Sequence, residues 1–382
     1  MTRYEIAHAG EEEKIVNFGN YIFSQSARPH DFRAMLPKVY KKGVPNARMH
    51  YVAHDEDGDI RAMVCALPLQ MQICGLPLKV GTVGTVSVHP YARGEGHMKH
   101  VMALMEEDCR KQNMDALVLG GLRQRYNHFG FEYAGANLLF TMHKENLRYS
   151  LADADTAPFS FVRVTDNDDP LCEQCFALYE QGAVHGARPR AQYLDYAHSW
   201  YGELYAVLKN GEFAGVLIEN GEKIRNIGEI LLVDEGDLKP VLKKWMQNNS
   251  QTTAPQLTVW PFEHERIRTM EAVSEHMEII PCQMLYVLNF ENTLRALMKL
   301  NALCRTLQNG EAVLKIGEEQ LLLSVKDGET ACEKTDKTPD LTLTPMEAQR
   351  LLFLPTRLLL NDTPVLKNWL PLPWVMPSPD HF

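Results

Sequence analysis

The residue types best suited to chemistry stand together in the run Val88-His-Pro-Tyr-Ala-Arg-Gly-Glu-Gly-His-Met98. A β-rich stretch, Leu78 to Val88, precedes the turn, and a helical pattern from about Gly96 to Lys111 follows it. A strand that feeds a glycine-containing turn into a helix N-terminus makes an anion site. Unpaired N–H groups point outward there, and the helix dipole adds about half a positive charge. Arg93 contributes a fixed cation whose planar fork matches phosphate oxygens, and Gly94 and Gly96 let the backbone approach a ligand closely. The dinucleotide fingerprint is not met, because Lys99 stands where its third glycine belongs, and no Walker sequence with a Gly-Lys-Ser/Thr ending occurs. A plain strand-to-helix turn that happens to contain glycine is the competing reading. The residues flanking the glycines make the ligand site the better one.

The elements needed to position this run alternate along the first segment. Tyr4 to Ala9 reads as a strand, Glu11 to Gln25 as an amphipathic helix and Asp31 to Tyr40 as a second helix. Met49 to His54, Ile60 to Ile73 and Leu78 to Val88 are β-rich, with Asp55-Glu-Asp-Gly58 as a hairpin turn. Ala116 to Leu119 is a short buried strand, and Phe131 to His143 supplies the last strands, so an α/β domain closes near residue 145. After the small and polar stretch Ser150 to Pro158, a second segment repeats the same order of elements. Its counterpart of the Arg-Gly loop, Leu232-Val-Asp-Glu-Gly-Asp-Leu238, is acidic and repels phosphate, so the second copy is expected to lack the site. A third segment opens at Asn289 with a helix and strands, then a Thr344-Pro-Met-Glu347 capping pattern. The last residues, from Pro371 to Phe382, carry four prolines and many apolar side chains, which predicts an extended tail packed onto protein.

Composition narrows the classes. At 382 residues the chain exceeds one ordinary core. Its net charge of -10 and lack of a basic stripe argue against nucleic acid and favour a cationic substrate. No stretch reaches membrane-spanning length, and the N-terminus lacks the apolar core of a signal peptide. The eight scattered cysteines fit a reducing, cytoplasmic compartment. Cys172-x-x-Cys175 has metal spacing but no second pair, so no metal is expected.

The run Val88-His-Pro-x-x-Arg-x-x-Gly-x-Met98 resembles the acetyl-CoA pyrophosphate loop of the GNAT N-acetyltransferases. Arg125-Tyr-Asn-His-Phe-Gly-Phe131 resembles that family's Tyr-x-x-x-Gly-Phe element. Over nearly its whole length the chain is similar to the Eis (enhanced intracellular survival) acetyltransferases. Two positions depart from that pattern: Met98 where many GNAT loops have a small residue, and Glu95 where Eis-like loops are more basic.

This resemblance implies an α+β architecture of three parts. Residues 1–147 form an active GNAT domain, 148–288 a degenerate GNAT-like domain, and 289–382 a domain like sterol carrier protein with a catalytic tail. It implies acetyl-CoA as cosubstrate, no metal, and direct acetyl transfer to the primary amine of an aminoglycoside, polyamine, lysine or similar cationic acceptor. It further implies a homo-oligomer, with a hexamer among the forms suggested. On this basis Val86, Ser87 and Val88 present backbone groups to the pantetheine arm. Arg93, Gly94, Glu95, Gly96, His97 and Met98 hold the pyrophosphate, and Gly121 and Leu122 border the thioester. Tyr126 is the matched general acid, and a phenol with a pKa of about 10 keeps its proton at neutral pH. Its competing reading is a ring capping the core beside Phe129 and Phe131. The carboxylate of Phe382 is the matched general base, with water or Asp380 as competitors. The alternative for the whole chain is a lipid- or sterol-binding module with a vestigial acyltransferase domain. The intact Arg93 and Tyr126 argue against it.

Overall fold

Long apolar runs at strand spacing give this protein its first sheet, and the computed structural model describes residues 2–26, 29–222, 225–360, 363–366 and 368–382. The first unit runs β1 (Arg3–Ile6), α1 (Glu12–Ser24), α2 (Phe32–Met35), α3 (Pro37–Tyr40), β2 (His50–His54), β3 (Ile60–Ile73) and β4 (Leu76–Val88). It continues with α4 (His97–Lys111), β5 (Ala116–Leu119), α5 (Arg123–Tyr126), β6 (Glu132–Ala134) and β7 (Asn137–Thr141). The helix expected over 31–40 is two short helices. Leu36 leaves the helical region (φ -132°, ψ 63°) because the ring of Pro37 crowds the residue before it.

The second unit comprises β8 (Phe159–Val164), α6 (Pro170–Glu180), β9 (Val184–Gly186), α7 (Tyr193–Ala197), β10 (Glu203–Lys209), β11 (Glu212–Asn220) and β12 (Asn226–Leu232). It ends with α8 (Leu238–Asn248), β13 (Gln256–Val259), α9 (His264–Val273), β14 (His276–Ile280) and β15 (Gln283–Val287). The helical pattern expected over 189–199 is interrupted. Only α7 is α-helical there, and Trp200 and Tyr201 have left-handed φ values of 60° and 58°.

The two units repeat one topology: four antiparallel strands, a helix, then three more strands. They also exchange a strand. The first sheet has the order β1-β2-β3-β4-β5-β15-β6, with β9 on the far half of β3. The second unit forms β12-β11-β10-β8 and β13-β7-β14. Thus β7, early in the chain, lies between strands of the second unit, and β15, at that unit's end, lies between β5 and β6. The side chains explain the crossing: Phe140 and Met142 are buried in the second unit's core with Leu217, Trp245 and Leu257. In return Met284 fills the first unit's core beside Leu119 and Phe131.

The third unit packs α10 (Phe290–Cys304) and α11 (Pro345–Phe353) on the sheet β18 (Glu329–Lys334), β17 (Glu319–Lys326), β16 (Gly310–Ile316), β19 (Leu341–Leu343). Thr344 and Glu347 close the expected capping box. Its core runs without a break into the far halves of β3 and β4 through Leu69, Met71 and Leu78. The proline-rich tail is extended and buried: Trp374 has no exposed surface. The tail backbone presses on Gly135, where an added Cβ would stand 2.2 Å from the carbonyl oxygen of Trp374. Cys172 and Cys175 are buried in α6 as core residues. Among the described residues, no helix is long and apolar enough to cross a membrane, and no cluster of three metal-binding side chains occurs.

The strand exchange makes a prediction. A fragment of residues 1–147 keeps β5 and β6 but lacks β15 between them, and carries β7 with no sheet to join. We expect it not to fold cooperatively, whereas the full chain does. A dispersed amide NMR spectrum and a sharp unfolding transition for the fragment would contradict this.

Candidate active site

The site begins with a fault in β4. Met63 faces Ser87 across the β3–β4 pair, but Cys65 faces Gly84, so the register shifts at Thr85 and Val86. Thr85 sits at φ 45°, a conformation that costs a β-branched residue about 1–3 kcal/mol. A short relay holds it. His50 Nδ1 donates to the carbonyl of Asn46 at 2.8 Å, which leaves Nε2 to accept from the Tyr40 hydroxyl at 3.0 Å. The Thr85 hydroxyl then donates to Tyr40 at 2.9 Å. Burial pushes the His50 pKa down to about 4, so its ring stays neutral in this relay. Beyond the fault, β4 leaves its neighbour: the parallel pairing with β5 covers only Val80 to Val83.

The strands part towards the Arg-Gly turn. Gly94 (φ 88°) and Gly96 (φ 82°) both adopt left-handed backbone that favours glycine, and neither has a heavy atom closer than 4.0 Å to the position of a Cβ. Gly96 caps α4 without a side-chain bond; the amide of Lys99 goes to the Gly96 carbonyl at 3.0 Å, and those of His97 and Met98 keep their capacity for a ligand.

Two clefts flank the turn. One, of about 510 Å³, is lined by Val86, Ser87, Val88, Arg93, Met98 and Tyr126, with Ile22 and Phe23 of α1 opposite. The other, of about 390 Å³, takes in Gly94, Gly96 and His97 with Arg93 and Met98. Glu95 lines neither; its carboxylate bonds His97 Nε2 at 3.0 Å, while His97 Nδ1 meets the Tyr4 hydroxyl at 2.9 Å. The His97 side chain is therefore occupied inside the protein, and only its backbone faces the turn.

Tyr126 ends α5 and is 6% exposed. Burial raises its pKa, and the neighbouring Arg125 partly opposes this. Gly121 (φ 141°) turns the chain beneath it: a Cβ there would lie 3.0 Å from the Tyr126 ring. Gly121 and Leu122 are exposed on that turn. Glu132, fully buried, anchors α5 by binding Arg123, Asn127 at 3.1 Å and, from α11, Arg350 at 3.0 Å.

The tail returns to the same place. The Phe382 ring covers Gly84 so closely that a Cβ there would lie 1.7 Å from Cδ1, and it meets the Tyr40 ring edge-on. Phe382 thus lies against Gly84, one residue past the last β4–β5 pair, in the cluster that includes Tyr40, while Tyr126 lies against Gly121 in the cluster under α4. Asp380 is not available as a base: Arg188 Nε binds one carboxylate oxygen at 2.7 Å and the Tyr179 hydroxyl binds the other at 3.0 Å.

Sequence reasoning passed over Arg125, which lines both clefts beside Arg93. Its place next to Tyr126 was the available signal. Lys38 and Arg188, which hold the tail, carry no local sequence signal.

Residues 3–134 match the family described as the acetyltransferase (GNAT) domain. The chain carries a GNAT-type N-acetyltransferase domain. Its fold is shared over all of both chains with a conserved protein of unknown function from Enterococcus faecalis, a probable N-acyltransferase (TM-score 0.71, 15% identity). The same full coverage holds for a GCN5-related N-acetyltransferase from Anabaena variabilis (TM-score 0.69, 17% identity). It also holds for Eis1 from Mycobacterium abscessus (TM-score 0.62, 14% identity). A search among curated proteins finds no match.

In the GNAT domain, Gly84 is the residue through which the tail is seated. Gly84→Ala puts a methyl group inside the Phe382 ring, so the tail must move while the clefts on either side of the Arg-Gly turn stay intact. We expect at least a tenfold loss of kcat without loss of acetyl-CoA affinity by calorimetry. Wild-type turnover would mean that the ring can shift freely.

Proposed function

We propose that the protein transfers an acetyl group directly from acetyl-CoA to a primary amine of a small cationic acceptor, such as an aminoglycoside, a polyamine or lysine. The observation that carries this reading is the pair of strand ends, with an open arginine-bearing anion turn on one side and Tyr126 and the chain terminus at the gap. The residues present suit the cosubstrate: glycines at 94 and 96, the amides of His97 and Met98 at the start of α4, and cations at 93, 99 and 125. Val86 to Val88 offer the pantetheine arm backbone groups left free where β4 and β5 part, and Gly121 and Leu122 border the thioester.

When bound, acetyl-CoA supplies the activated acetyl group. The chain's own residues move the protons. An acceptor amine is protonated up to about pH 10.4 and cannot attack until it gives up a proton. The terminal carboxylate of Phe382, whose ring packs on the apolar cluster around Tyr40, takes that proton. Tyr126 donates its phenolic proton to the CoA sulfur as the thiolate leaves. The raised pKa keeps that proton in place until it is needed. The acidic surface charge of the chain favours a cationic acceptor. The division at 147/148 and 288/289, a C-terminal unit like sterol carrier protein, a cytoplasmic home and a homo-oligomer belong to the same reading; the full-length match with Eis1 supports its fold alone.

Charge reversal tests the cosubstrate turn. Arg93→Glu should raise the acetyl-CoA dissociation constant at least tenfold, or about 1.4 kcal/mol. Unchanged affinity in a folded variant would remove the turn from the site.

Two further variants test the proton carriers. Tyr126→Phe deletes only a hydroxyl and should lower kcat on the order of a hundredfold. Deleting Phe382 should abolish turnover while leaving acetyl-CoA binding intact. Near-normal kcat in either one assigns that proton to another group.

A further inference from the structure

We infer that Lys38 is a positioning residue for acetyl transfer, a buried ammonium that latches the last peptide groups of the chain and so sets Phe382 at the gap between β4 and β5. The inference rests on the reading of Phe382 as the base, and its test separates the two.

Lys38 is only 3% exposed, which is unusual for a lysine. Burying an ammonium is costly, and burial pulls its pKa down to about 7, with Asp380 opposing that fall and Arg188 adding to it. Among the described residues no carboxylate lies within ion-pair distance of it. Its donors go instead to main-chain oxygens of the tail: Nζ donates to the carbonyl of Pro379 at 2.6 Å and to that of His381. The His381 carbonyl adjoins Phe382 and that of Pro379 lies two residues further back, in a stretch with no strand partner. Trp200 Nε1 reaches the same His381 carbonyl at 3.3 Å, from a residue held at φ 60°. The ammonium also lies 5.4 Å from the centre of the Tyr196 ring, which adds cation–π attraction.

The placement has a mechanical logic. Lys38 is on α3, the helix that also carries Tyr40, and Tyr40 supports both Thr85 and the Phe382 ring. One short helix therefore fixes the fault in β4 and the terminus that covers it. A chain end ordinarily frays. Here four donors from outside the tail act on the residues just before it: Lys38, Trp200 and, at Asp380, Arg188 and Tyr179. Of these only Lys38 bonds two main-chain oxygens of the tail.

The full-length protein is compared with Lys38→Met, Lys38→Arg and Trp200→Phe. Carboxypeptidase A, which removes C-terminal aromatic residues, reports the latch directly. Lys38→Met should release Phe382 at least ten times faster than wild type. It should also lose at least tenfold in kcat with unchanged acetyl-CoA affinity. Lys38→Arg, which keeps the charge and the donors, should restore a substantial part of both. Should Lys38→Met fail to fold, Trp200→Phe removes a neighbouring donor to the same carbonyl and should show the same pattern more weakly. Wild-type release and wild-type kcat in a folded Lys38→Met overturn the latch and leave the role of Phe382 standing. Fast release with normal kcat overturns the terminal carboxylate as base, and the positioning role with it.

Discussion

A carboxylate without exposed surface cannot remain charged unless a partner comes with it, and Asp380 lies with Arg188 in just such a place: both side chains are fully buried. Arg188 stacks on the Tyr179 ring, 3.7 Å from its centre, and bonds Glu229 at 3.1 Å. The Tyr179 hydroxyl takes the second oxygen of Asp380 and accepts from the amide of Gly186 at 2.7 Å. Each partner comes from a different part of the chain. Gly186 ends β9 on the first sheet, Glu229 is on β12 of the second, and Asp380 is two residues from the terminus. Loss of one partner leaves an uncompensated buried charge, at a cost of about 3–5 kcal/mol. The cluster ties the two units and the tail into one arrangement.

The strand exchange works in the same direction. With β15 inside the first sheet and β7 inside the second, neither unit closes its sheet without the other. A hinge between them would have to break backbone ladders rather than slide side chains. The gap between β4 and β5 is thus framed by a structure that resists opening, and the tail arrives at it over a rigid path. Transfer chemistry benefits from such rigidity, because a small misplacement of a proton carrier costs far more than a small loss of binding.

Legibility in the sequence followed locality. The β3 run, helix α4, the Thr344 capping box and the extended tail were all readable, since each depends on residues within a turn or two of one another. The Arg-Gly turn and Tyr126 were readable for the same reason. The strand exchange was not. Phe131 to His143 looks like one continuing set of strands, and only the cores on either side decide that Phe140 belongs to the second unit. The broken helix before Tyr40 was in principle visible at Pro37. The contact of Phe382 with Gly84 joins two distant points of the chain, and nothing near either residue announces the other. The latch residues Lys38 and Arg188 look like ordinary surface charges until the fold buries them.

The repetition of one topology makes the two anion turns a controlled comparison. In the first copy, α4 begins at a bare glycine, and Arg93, Lys99 and Arg125 line the cleft beside it. In the second, the turn before α8 carries Asp234, Glu235 and Asp237. The side chain of Asp234 takes the amide of Gly236, Asp237 pairs with Lys209 at 2.7 Å, and Glu235 pairs with Arg266. The positive end of that helix is answered from within the protein, so an incoming phosphate would meet negative charge and spent donors. A cavity of about 330 Å³ still lies between β12 and β13, lined in part by the tail residues Met376, Pro377, Ser378 and His381. The second copy has exchanged a phosphate turn for a seat under the chain terminus. The tail passes over that cavity on its way to Gly84 of the first copy.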